Sequence, residues 1–147
     1  MNGGILSESK TMSKARKLQD EFYAKRGDLE PREIVDLYRR IIASVRNLAE
    51  EGDGEAQYIY ALHFGDMNSL GLNYSYNDEK AFFWHKKSAD SGYFEAYNHV
   101  ATMYDGGFGT QKNLSKAFEY YRKGVEANDQ LAIDNLRLFL QENPEFK

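Results

Sequence analysis

The sequence predicts an all-α fold, a row of stacked two-helix units, and three observations predict it. First, Lys80-Ala81-Phe82-Phe83-Trp84-His85-Lys86-Lys87 recurs as Lys116-Ala117-Phe118-Glu119-Tyr120-Tyr121-Arg122-Lys123, 36 residues further on. A fixed period of that size marks an array of helical repeats. Second, a small residue followed by bulky ones four and eight later occurs three times: Ala56/Tyr60/Phe64, Ala96/Val100/Tyr104 and Ala132/Leu136/Leu140. Those spacings share one helical face, so the small residue admits a neighbouring helix and the large ones fill the gap. Third, the copies start and stop alike. Asn77 and Asn113 stand four residues before Ala81 and Ala117, where an Asn oxygen caps free backbone N–H groups. Gly92 and Asn128 close them, and both residue types tolerate the left-handed conformation.

In chain order, Met1 to Ser9 is small, polar and fraying. From about Lys10 to Lys25, Met12, Ala15, Leu18 and Phe22 keep helical spacing. Gly27-Asp28 stops that helix, and Pro31 opens the next with Glu33 near its positive end. Ile34, Leu37, Tyr38, Ile41, Ile42, Val45, Leu48 and Ala49 form a broad apolar stripe that Gly52 ends. The chain reads as one solenoid domain, 1–147: a divergent helical hairpin over 10–52, repeats over 53–92 and 93–128, and a half repeat with a cap over 129–147. The closing helix, Leu131 to Leu140, either caps the array or pairs weakly with a second copy.

The gross composition narrows the function. A length of 147 residues is that of one domain. There is no Cys, which excludes disulfides and thiolate metal sites and fits a reducing compartment. No apolar run approaches a membrane span, and Met1 to Lys25 lacks the apolar core of a signal peptide, so the expected location is cytoplasmic. The charge is uneven: +2 over residues 1–50 and −6 over 51–147, within a net −4. An acidic repeat region disfavours nucleic acid and favours a partner with a basic contact surface.

No motif carries reaction chemistry. Gly106-Gly107-Phe108-Gly109 has no preceding strand and no Lys-Ser/Thr pair, so it reads as a turn between helices. His63, His85 and His99 lack facing ligand spacing. The expectation is no catalytic residues, no metal and no cofactor. The basic pairs Lys86-Lys87 and Arg122-Lys123 read as the solvated outer face of the second helices.

The order Ala56…Tyr60-Ala61…Phe64, then Lys80-Ala81…Trp84…Lys87-Ser88-Ala89…Gly92, resembles the Sel-one-like repeat family, relatives of the tetratricopeptide repeats. The second unit resembles it more fully, through Ala96…Val100-Ala101…Tyr104…Gly107-Phe108-Gly109 and Lys116-Ala117…Tyr120-Tyr121…Lys123…Asn128. Gly124 departs from the family's small Ala and Asn128 from its closing Gly. The resemblance covers about Asp53 to Leu140. It implies a right-handed α-α superhelix of antiparallel helix pairs, non-enzymatic, acting as a scaffold or adaptor for protein partners.

The resemblance also implies that the first helix of each pair lines an inner groove. The positions just off the packed stripe are then the candidate contact set: Glu55, Tyr58, Leu62 and Asp66, then Glu95, Asn98, Thr102 and Asp105, then Leu131, Asp134 and Leu138. Carboxylates hold Arg or Lys by charge-assisted bonds, and Tyr58 supplies anchor area. The longer loop of the first unit is a second candidate, through Leu70, Leu72, Tyr74 and Tyr76. The function expected is protein binding through the groove, in its sharpest form an immunity protein or antitoxin that occludes a toxin. The alternative is a regulator or sensor of a peptide or cell-wall-like ligand.

Overall fold

The computed structural model describes residues 13–65 and 77–147. Among these, every regular element is helical: α1 (Lys14–Lys25), α2 (Pro31–Glu50), α3 (Gly54–Phe64), α4 (Asp78–Asp90), α5 (Glu95–Gly106), α6 (Leu114–Glu126) and α7 (Gln130–Glu142). Short 3-10 turns at Arg26–Asp28 and Pro144–Phe146 follow α1 and α7. Each helix packs on the next in sequence, and first helices also meet one another, α1 on α3 and α5 on α7. This is an α-α superhelix of antiparallel pairs.

The helix boundaries follow from local chemistry. Asn77 and Asn113 accept hydrogen bonds from the N–H of Lys80 and Lys116 at the same distance, 3.0 Å. Asp53 caps α3 by accepting from the Ala56 N–H, and Asp129 caps α7 by accepting from the Leu131 N–H. At α2, Glu30 and Glu33 form a capping box around Pro31. Gly52, Gly92 and Asn128 take positive φ where α2, α4 and α6 end, and Asn128 has φ 58°. Each reverses the chain at the cost of one left-handed residue. The helix expected from Lys10 begins at Lys14, capped by Ser13, while Met12 lies outside the described residues.

The small residues sit where the helices cross. Ala15, Ala56, Ala96, Ala117 and Ala132 have no exposed surface, and Ala81 has 2%. Gly124 belongs with them: a Cβ built on it would lie 2.4 Å from the Ala132 Cβ. The departure from Ala at that position therefore reflects a closer approach of α6 to α7. Large rings fill the space between crossings. Trp84 meets Tyr60 edge-on, Phe82 meets Tyr104, and Phe118, Phe139 and Phe146 gather at the end of the array. Tyr58 and Phe82 touch both halves of the core and make it continuous.

The closing helix packs onto the array, and one expectation, for Lys86, changes. Phe139 is buried, because Tyr121, Phe118 and the folded-back Phe146 surround it. Leu136 and Leu140 are only partly covered. Lys86 is half-buried rather than fully solvated, reaching the Asp90 carboxylate and the Tyr120 ring.

Candidate partner-binding face

The first helices bring residues distant in sequence onto one face. Glu55 stands in the first turn of α3 and Glu95 in the first turn of α5, each directly before its buried alanine. Between them lies a guanidinium from α1. Arg16 Nε donates to Glu55 Oε1 at 2.8 Å, and one terminal nitrogen lies 2.8 Å from the same oxygen. That nitrogen also donates to the Tyr93 hydroxyl at 3.0 Å and reaches Glu95 Oε2 at 3.5 Å. Tyr93 in turn donates to Glu55 Oε1 at 3.3 Å. Arg16 and Glu55 side chains keep only 31% and 20% of their surface, so the pair is less screened than an open surface bridge.

The titration shifts follow from this geometry. Burial would raise the Glu55 carboxyl, but donors from Ser13 and Arg16 outweigh it and hold it below the usual range. Burial, with the Glu95 and Glu55 carboxylates alongside, pushes the Tyr93 hydroxyl up.

Tyr93 breaks the repeat in an informative way. In register it matches Asp53 and Asp129, which cap α3 and α7. Tyr93 caps nothing, and α5 begins without a side-chain cap. Its hydroxyl goes to Arg16 and Glu55 instead. A lost cap costs about 1 kcal/mol, and such local violations concentrate at functional positions.

Beneath this cluster lies an aromatic layer. Tyr58 packs against Tyr93, His85 and His99, with ring centroids 5.3 to 5.5 Å away, and its hydroxyl meets His99 Nε2 at 3.2 Å. His85 is 3% exposed, and its Nδ1 has no hydrogen-bond partner among the described residues. Burial lowers both imidazoles; His99 lowers His85 further, whereas Asp129 and Glu95 partly restore His99.

The candidate set is only partly gathered here. Glu55 and Glu95 converge on Arg16, and Leu62 is half-buried in a cleft with Gln19, Tyr23 and His63. Three expected contact residues are turned inward. Tyr58 is a wedge between the core halves, because α5 closes over it. Asn98 is 7% exposed and accepts a hydrogen bond from Asn135 of α7. Asp105 accepts from the Tyr121 hydroxyl of α6. Thr102 donates to the His99 carbonyl of its own helix. On α7, Leu131 and Leu138 are exposed, and Asp134 is partly exposed beside Gln130 and Arg137. Asp66, Leu70, Leu72, Tyr74 and Tyr76 lie outside the described residues. Sequence reading missed Arg16, Tyr93 and the His85–His99 pair; the one available signal was Tyr93 standing where its sister units have a capping Asp.

Among the described residues no group of three His, Asp or Glu could hold a metal ion, and no helix is long and apolar enough to cross a membrane. Fold and face together define a helical-repeat solenoid whose first helices carry Glu55 and Glu95 beside the Tyr93 hydroxyl. The Sel1 repeat model matches residues 54–93 and 94–129, half of the chain, and the chain belongs to the Sel1 repeat family. Sel1 repeats are helical protein-interaction modules. A sel1-like repeat-containing protein of Acanthamoeba polyphaga mimivirus is 30% identical over 88 residues, 60% of this chain and 16% of that protein. The crystal structure of a Sel1 repeat protein from Oxalobacter formigenes superposes with a TM-score of 0.67 at 22% identity, over 88% of this chain and 47% of that one. A protective antigen of uropathogenic Escherichia coli strains, displaying an SLR fold, gives 0.64 at 24% identity, over 88% and 26%. The chain thus spans less than half the length of each, and the two structures share its fold.

Proposed function

We propose that the protein is a non-enzymatic adaptor that binds a protein partner through the face of its first helices, in the cytoplasm. The observation that carries this is the convergence of Glu55, Tyr93 and Glu95 on a guanidinium. It is a ready-made pattern for arginine: two carboxylates and a hydroxyl acceptor on a partly desolvated wall. A partner with a basic contact surface matches it, and the exposed Leu131 and Leu138 extend it with apolar area.

In its sharpest form the partner is a toxin, and the protein an immunity protein or antitoxin that occludes it. A pull-down from the native cell with wild type and with Glu95→Lys/Asp134→Lys tests the reading. These two positions are partly exposed, so charge reversal leaves the core intact. Loss of a captured protein in the double variant supports it, and unchanged capture contradicts it. A second reading, a sensor of a peptide or cell-wall-like ligand, draws on the half-open apolar cleft lined by Phe22, Ile42, Ile59 and Leu62. It requires a rise in melting temperature with muropeptides.

A further inference from the structure

The guanidinium on this face belongs to the chain itself. Arg16 comes from α1, yet its contacts are on α3, on α5 and at Tyr93 before α5, 39 to 79 residues away. α1 is a basic helix, with Lys14, Arg16, Lys17 and Lys25 against Asp20 and Glu21. Its Arg16 meets the carboxylates of Glu55 and Glu95. The helix is also thinly anchored: only Ala15 and Phe22 are buried, whereas α3 buries six residues of its own. Elements with few buried apolar contacts open locally at lower free energy than the rest.

Building on the groove reading above, we infer that Arg16 is the resident occupant of an arginine site formed by Glu55, Tyr93 and Glu95, and that a partner's arginine enters by displacing α1. Three features support this over a plain structural bridge. The site takes its acceptors from α3, from α5 and from the turn before α5, so none of them comes from α1. Tyr93 forgoes a helix cap to complete it. And the planar fork of Arg16 is matched by acceptors on three residues, a geometry that a lysine cannot reproduce. α1 then works as a competing internal ligand: it lowers affinity for weakly basic surfaces and lets an arginine-bearing segment through.

The probe is a phage-displayed library of random dodecapeptides, panned on wild type, on Arg16→Ala and on Arg16→Ala/Glu55→Gln/Glu95→Gln. Circular dichroism checks helix content, and Arg16→Lys serves as a variant that keeps the charge and loses the fork. The peptides enriched on Arg16→Ala are expected to share an arginine and to be lost on the triple variant. A synthesised winner is expected to bind Arg16→Ala about fivefold more tightly than wild type, the scale of one partly screened ion pair. On wild type it is expected to speed amide exchange across 14–25. Winners without arginine overturn the arginine site. Equal affinities with unchanged exchange over 14–25 overturn displacement while leaving the groove reading intact. Winners that bind all three proteins equally, or no winners at all, overturn the groove reading itself.

Discussion

The imidazoles of His85 and His99 lie face to face, centroids 4.5 Å apart and planes 8° from parallel. One belongs to α4 and the other to α5, so the stack joins two units at the point where Tyr58 also wedges in. Two stacked rings in a buried layer pack well only when neutral, since a charge on either is desolvated and faces the other. Both are accordingly held below the ordinary histidine range.

The sign of the pH effect follows. With folded pKa values below the unfolded value of about 6.5, the unfolded chain binds more protons, so stability rises with pH. The full contribution is present above that unfolded value and is lost progressively as pH falls below it. Urea midpoints measured between neutral pH and pH 5 are expected to fall, and His85→Phe is expected to flatten the slope. An unchanged slope in that variant would place the effect elsewhere. Glu55 adds a second, lower window. Its depressed carboxyl stabilises above the unfolded value of about 4.3 and ceases to do so as pH drops through the folded value. Glu55→Gln is expected to reduce the acid sensitivity that remains below pH ~4.

Gly124 tests the closeness of the helix crossing. Gly124→Ala puts a methyl 2.4 Å from the Ala132 Cβ and is expected to cost about 1–3 kcal/mol. Gly27→Ala, with nothing within 4 Å of the added Cβ, is the control, and is expected to be neutral or to stabilise by up to about 1 kcal/mol. Denaturant unfolding of both variants measures the difference.

Much of this architecture was legible from residues alone, because the repeat writes the same local instructions twice. Asn77 and Asn113, Ala81 and Ala117, Gly92 and Asn128 each have one local job, and the spacing states it. The face was less legible. Asn98 and Asp105 sit one step off the packed stripe, as contact residues should. Which helix claims such a residue depends on the crossing angle, and here Asn135 and Tyr121 claim these two. Arg16 reaches into the site across 39 residues from a segment with weak repeat character. No periodicity encodes that.

Asn128 probes the turn chemistry on which the unit depends. At φ 58° an Ala is strained and a Gly is not. Asn128→Ala is expected to cost about 1 kcal/mol, and Asn128→Gly to be neutral within a few tenths. Melting temperatures that fall equally in both variants would show that the Asn side chain, rather than the backbone, sets the turn.

The central claim is that the first-helix face is the working surface. Photo-crosslinking in the native cell tests it most directly, with benzoylphenylalanine placed at Leu138, exposed on a first helix, and at Phe83, exposed on a second helix. The account predicts a discrete adduct from Leu138 that Glu95→Lys abolishes, and none from Phe83. An adduct from Phe83 alone, or one from Leu138 indifferent to Glu95→Lys, would contradict it.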